Sequence, residues 1–243
     1  MTDPGRPDLN QKKTNAVELT VLSTQATEQA YRELTPRFEA MTGHKVTTTF
    51  TGTLDVKKRI AAGEAFDLLI MASSDIDAFM TSGTLVAGSR IDLAKSGVGV
   101  GVKAGAPKPD IATTEAFKKT LLAAKSIGYS TGPSGVYIIG VFDRLGIADQ
   151  VKPKLKQTPT GVFVGTIVVN GEAEIGIQQV SEMSTYPGVD YVGPLPAEIQ
   201  KMTIFSSGIA ANGKQAEAAK ALVKFLTAPE AGAAFKKRGM ESG

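Results

Sequence analysis

Three strand-to-helix junctions in this chain are built from small hydroxyl and amide residues: Ser23-Thr24-Gln25-Ala26-Thr27, Thr51-Gly52-Thr53 and Ser130-Thr131-Gly132-Pro133-Ser134-Gly135. Such a junction leaves the first amides of the helix without intrahelical partners. It also aims the positive end of the helix dipole out of the carboxyl edge of a sheet, where open α/β folds hold their ligands. Thr158-Pro159-Thr160-Gly161 is a weaker fourth version that opens a helix from a loop. Ordinary N-capping accounts for any one of them, but four in one chain, split between two halves, point to a shared anion site. Apart from Glu28, just inside the first helix, the junctions carry no Lys, Arg, Asp or Glu. Neutral donors and dipoles suit a compact, dehydrated oxyanion, whereas a nucleotide recruits cations or Mg²⁺ ligands.

Other chemistries find little to work with. The chain has no Cys and a single His, which removes disulfides, thiolate metal sites, cysteine nucleophiles and multi-histidine metal centres. His44, in Thr-Gly-His-Lys, reads as a turn residue. Gly208-Ile-Ala-Ala-Asn-Gly-Lys214 has phosphate-loop spacing, but Gln215 stands where Ser or Thr must hold the metal. No Gly-x-Ser-x-Gly elbow occurs. Asp75 and Asp77 read as solvated capping charges, Glu172 and Glu174 as water-facing, and Tyr129, Tyr137 and Phe163 as core with cleft lining as the alternative. Glu182, three residues beyond Gln179, is the one acid expected near a cleft. No catalytic residue, cofactor or metal is expected.

The elements that must position these junctions follow from periodicity. Strands are predicted at 17–22, 45–50 and 66–71, with helices between them and a further short helix at 76–81. The run at 66–71 is continuously apolar, as in a strand buried on both faces of a parallel sheet. Ser96 to Lys103 reads as a strand of alternating Gly and Val before Pro107 and Pro109, as expected of a segment passing between lobes rather than of a sheet centre. A second α/β unit follows, with helices at 114–124, 134–145 and 161–170 and strands at 126–129 and 174–177. A Pro-rich passage at 186–196 leads back to a strand at 202–210 and two helices, 215–226 and 229–237, which pack on the first lobe. The fold expected is therefore α/β in two lobes, 16–94 with 202–243 and 95–201, each a mixed, mostly parallel sheet with flanking helices, joined by two hinge crossings. A chain of 243 residues with 42% hydrophobic and 21% charged residues is a folded one. A net charge of +3 without basic stripes excludes a nucleic-acid binder. Residues 1–15 are polar and have no apolar signal core, reading as a disordered leader or cloning remnant.

The ordered set Val21-Leu-Ser-Thr-Gln-Ala, Phe50-Thr-Gly-Thr, Phe66-Asp-Leu-Leu-Ile-Met-Ala, Gly132-Pro-Ser-Gly-Val-Tyr, Glu172-Ala-Glu-Ile-Gly-Ile-Gln-Gln and Ala228-Pro-Glu-Ala-Gly resembles the periplasmic molybdate-binding protein family of ABC importers. The resemblance runs over nearly the whole chain. It implies a type II periplasmic-binding fold, hinge closure over a small anionic ligand, an ABC permease in the inner membrane as partner, a monomer, and a periplasmic location reached by a precursor with its own leader. In that family the oxyanion is held by hydroxyls and backbone amides from five loops. Carried over by position, these give Ala26 where the family has a ligand Ser, with Ser23, Thr24 and Gln25 as neighbouring substitutes. They also give Gly52 and Thr53, Ser134 through its amide, Gly161, and Gln179 in place of a Tyr. An amide in place of a phenol both donates and accepts, which suits a ligand with a protonated oxygen or hydroxyl, so another oxyanion or a small organic acid joins molybdate as the expected ligand. A sensor with the same fold, and a small α/β hydrolase using the same loops, are the alternatives.

Overall fold

The structure is a computed structural model that describes residues 16–243, so the leader expected over 1–15 lies outside the described residues. Strand β1 (Glu18–Thr24) buries Leu19, Val21 and Leu22 and runs into a single 3-10 turn, Gln25–Thr27, before α1 (Glu28–Thr42). Ala30, Tyr31, Leu34 and Phe38 form the buried stripe of α1, and Gly43 ends the helix at φ +75°, its amide bonded to the Glu39 carbonyl. Next come β2 (Lys45–Thr51), α2 (Thr53–Ala61), β3 (Leu68–Ala72), α3 (Ser73–Thr81) and β4 (Ile91–Ser96). Every residue of β3 is buried, as the apolar run required. Strand β1 pairs in parallel with β2 on one side and β3 on the other.

Gly97 alone separates β4 from β5 (Val98–Lys103), and at that residue the chain passes from one sheet to the other. The second sheet is completed by β6 (Ile127–Tyr129), β7 (Leu155–Gln157), β8 (Ile175–Gln179) and β9 (Val189–Pro194), flanked by α4 (Thr114–Ala123), α5 (Pro133–Arg144), α6 (Ala148–Val151), α7 (Val164–Val169) and α8 (Val180–Met183). The chain then returns through β10 (Thr203–Ile209), α9 (Ala216–Leu226), α10 (Pro229–Lys237) and β11 (Glu241–Ser242). The two sheets have the orders β11-β4-β10-β3-β1-β2 and β7-β6-β8-β5-β9. Both are mixed. Strands β10 and β11 run against the rest of the first sheet, and β5 against the rest of the second.

Several expectations need correction. The Gly-Val segment is not merely a passage between lobes: β5 sits inside the second sheet, bonded to β8 and β9. Its glycines serve packing, since a Cβ at Gly99 would lie 2.8 Å from the Tyr191 ring and one at Gly101 would lie 2.6 Å from Val189 Cγ1. The Pro-rich passage contains β9. The helix expected at 161–170 is shortened to α7 because Gly161 adopts φ +78°, outside helical geometry. The short strands β4 and β7 had no clear signal in the sequence. Asp75 and Asp77 are ion-paired, to Lys57 at 2.6 Å and Arg90 at 2.8 Å.

Each sheet carries its own core. Leu19, Phe38, Phe205, Leu222 and Phe235 belong to one cluster, so the last two helices do pack on the first sheet. Val100, Phe117, Ile138, Phe142 and Ile177 belong to the other. Asp67 is buried, its carboxylate accepting from the amides of Thr20 (2.9 Å), Lys214 (2.8 Å) and Gln215 (3.0 Å). The turn with phosphate-loop spacing therefore already has an internal anion. His44 is buried and accepts from the Val17 amide at 3.3 Å, a structural role.

Candidate functional site

The four junctions meet. Thr24, Gln25, Ala26, Gly52, Thr53, Ser134, Gly161 and Gln179 all line one cavity at the facing edges of the two sheets, with about 410 Å³ of empty space including its mouth. Helix α2 starts at the N-cap Gly52 with no side-chain cap, and the amides of Asp55 and Val56 bond to the Gly52 carbonyl, which leaves Thr53 N–H and Leu54 N–H without intrahelical partners. Helix α5 starts at Gly132, again uncapped by a side chain, and Pro133 has no N–H, so Ser134 and Gly135 present the free amides there. Ser130 Oγ accepts from the Gly132 amide at 3.2 Å and lies 3.4 Å from Ser134 Oγ, which shapes that turn.

The side chains expected as donors divide by what they already hold. Ser23 is fully buried one residue short of the cavity, its hydroxyl donating to the Thr24 carbonyl at 2.9 Å; strand alternation sends it to the opposite face from Thr24. Thr24 lines the cavity, and its buried hydroxyl has no partner in the protein. Gln25 reaches across to the other lobe, donating from Nε2 to the Gly161 carbonyl at 3.0 Å. Gln179 is committed elsewhere. Ser96 O and Gly97 O both lie 3.1 Å from one end of its amide, which must be the NH₂, while Oε1 accepts from Thr203 Oγ1 at 3.1 Å. Gln179 thus joins the two crossings of the chain, and Gln200 adds to the same place by bonding both N–H (2.8 Å) and carbonyl (2.9 Å) of Val98.

The walls come very close at Gly52. A Cβ there would overlap Thr160 Oγ1 and the Gly161 amide of the opposite lobe. Among the described residues no lysine or arginine lines the cavity, and Glu182 is its only ionisable side chain. Burial pushes the Glu182 carboxyl up to about 8, with Glu28 nearby adding to the effect and the Gln179 backbone N–H and Gln178 side chain opposing it. The junction signal did not reveal three further lining residues, Val162, Gln178 and Phe205. Gln178 was legible in principle as a polar residue at the end of a buried strand; its Oε1 accepts from the Val164 amide at 2.8 Å and caps α7. Tyr129 and Tyr137 pack on the second core, and Phe163 sits 5.7 Å from the Tyr186 ring. Among the described residues no group of three or more His, Cys, Asp or Glu could hold a metal.

Comparison with known proteins places this architecture. The family model described as bacterial extracellular solute-binding protein matches residues 19–241. An aconitate isomerase from a Pseudomonas species is 36% identical over 229 residues, 92% of this chain and 87% of that protein. The molybdate-binding protein ModA of Azotobacter vinelandii is 29% identical over 216 residues, 86% of this chain and 83% of its own. The solved structure of the Azotobacter vinelandii periplasmic molybdate-binding protein superposes with a TM-score of 0.78 at 18% identity, covering 93% of this chain and 99% of that one. The fold is the two-lobed periplasmic-binding fold.

Proposed function

The chain belongs to the bacterial extracellular solute-binding proteins, and from that membership we propose that it captures a small anion between its lobes for an ABC permease in the inner membrane. The ligand is an oxyanion or a short carboxylate. The lobes are 16–94 with 202–243 and 95–201, and they hinge where Gln179 and Gln200 hold the crossings. The protein acts as a monomer in the periplasm.

One observation carries this reading: the unpaired amides of two helix starts and the free Thr24 hydroxyl surround a single cavity that no cation lines among the described residues. Amides and helix dipoles stabilise an anion that has shed its water. Calorimetric titration and thermal shift with molybdate, tungstate, sulfate, phosphate and small carboxylates test it. A ligand at 100 times its dissociation constant adds about 2.7 kcal/mol of stability. No binding by any member of that panel would end the anion reading.

A second reading has its own support. The 36% identical relative is named an aconitate isomerase, and Glu182 is an acid–base group facing a cavity lined by neutral donors. One carboxyl titrating near neutrality can move a proton between two carbons of an unsaturated carboxylate, while amides hold the charge that develops on oxygen. Incubating the protein with one aconitate isomer and following the other by NMR distinguishes the two readings. Turnover lost in E182Q supports the isomerase; binding without turnover supports the receptor.

A further inference from the structure

An anion cavity whose one ionisable lining side chain among the described residues is an acid poses a chemical problem. If Glu182 met the ligand as a carboxylate, two negative charges would share one small cavity with no cation on its walls among the described residues. Like charges at such range disfavour one another strongly outside bulk water. We propose that Glu182 meets the ligand as a neutral carboxylic acid and donates a hydrogen bond to one ligand oxygen, so that capture is linked to one proton. The inference rests on the anion-capture reading and adds to it a residue that selects the ligand's protonation state.

Among the described residues, the elements packed against Glu182 place no cation on it. Helix α8 packs against the turn Gln25–Thr27, β5, β8, α7 and β9. The turn, β8 and α7 contain no ionisable side chain. Strand β5 carries Lys103 at its exposed far end, five residues from Val98, which pairs with Gln179. Strand β9 carries Asp190, which accepts from the Gly105 amide at 2.9 Å, and Tyr191, whose hydroxyl burial raises to about 12 and keeps neutral. From α1, Glu28 faces it, ion-paired with Arg32 at 2.8 Å. Arg238, next to Gly239, where a Cβ would lie 2.8 Å from Val180 Cγ1, bonds Glu33 through Nη2 at 3.0 Å, and its buried Nε has no partner among the described residues. The raised titration of Glu182 agrees with this geometry.

The consequence for ligand choice is chemical. A fully ionised oxyanion or carboxylate needs the donor that protonated Glu182 provides, and loses it when Glu182 ionises. Hydrogen phosphate keeps a proton of its own and can donate it to an ionised Glu182, so its binding depends less on pH.

Calorimetric titration of the full chain with molybdate, sulfate, succinate and phosphate between pH 6 and 9, in buffers of different ionisation enthalpy, tests this. For whichever of molybdate, sulfate or succinate binds, affinity falls about tenfold per pH unit once Glu182 titrates, and protons are taken up on binding. In E182Q, whose amide donates without titrating, binding at neutral pH persists while the slope and the proton uptake disappear. Identical pH profiles in the wild type and E182Q, or no proton uptake by the wild type near pH 8, would overturn the proposal and leave anion capture standing. No binding of any of the four anions at any pH would overturn both. Unliganded E182Q melting as cooperatively as the wild type establishes that the variant is folded.

Discussion

Thr24 buries a hydroxyl that nothing in the protein meets, and a buried hydroxyl without a partner costs roughly 1–3 kcal/mol. Thr24→Val keeps the shape and removes that cost. Its unliganded stability should rise by about 1 kcal/mol in denaturant titrations while anion affinity falls about three- to tenfold, the opposite signs that separate a binding group from a folding one. Glu182 makes a second prediction at this scale. Its folded value of about 8 lies above its ordinary 4.5, so between these limits the unfolded chain has lost a proton that the folded chain retains. Stability therefore declines as pH rises from about 4.5 to about 8 and is level outside that window for this group. The melting temperature of E182Q relative to the wild type should climb across that window, measured in parallel without ligand. Asp92 behaves in reverse. Arg90 beside it and the Ser206 hydroxyl hold its carboxyl below the usual range, so its contribution is present at neutral pH and is lost as pH falls through the acid range.

Among the elements, the starts of α2, α5 and β10 and the end of β8 decide whether the lobes can meet. Gly52 has φ −71° and ψ 156°, a conformation open to alanine, so Gly52→Ala should fold and melt like the wild type. Its methyl would nevertheless overlap Thr160 and Gly161, and anion affinity should drop at least tenfold. Gln179→Ala removes the amide that joins Ser96 O and Gly97 O to Thr203, with an expected loss of about 1–3 kcal/mol in denaturant unfolding. Much of this arrangement was legible in the sequence. The junction residues announced uncapped helix starts, and periodicity located β1, α1, β2, β3, α9 and α10 to within a few residues. What escaped had weak local signals: β4 and β7 are short or polar on one face, β9 contains the Gly and Pro that ordinarily mark loops, and β5, legible as a strand, was misplaced because its alternating glycines do not look like a sheet interior. The partners of Gln179 lie 82 or 83 residues before it and 24 after, so no local pattern could show that its amide is committed to the crossings.

For the molecule as a whole, the contacts named across the cavity mouth are polar: Gln25 to Gly161, and Gly52 against the Thr160–Gly161 backbone. Removing the Gln25 contact should favour the open arrangement of the lobes. X-ray scattering should give a larger radius of gyration for Gln25→Ala without ligand, and the wild-type value once saturating ligand is added. Strand order carries a different consequence. Strand β10 lies between β3 and β4, and β11 joins Glu241 to Lys95, so the last residues of the chain finish the middle and edge of a sheet begun by the first. The second sheet needs only residues between Val98 and Pro194. A polypeptide made from its amino end would complete the inserted sheet while β3 and β4 still await the strand that separates them. In pulse-labelled hydrogen exchange during refolding, amides of β5, β6 and β8 should gain protection before those of β3 and β4, and chains lacking residues after 202 should protect only the former.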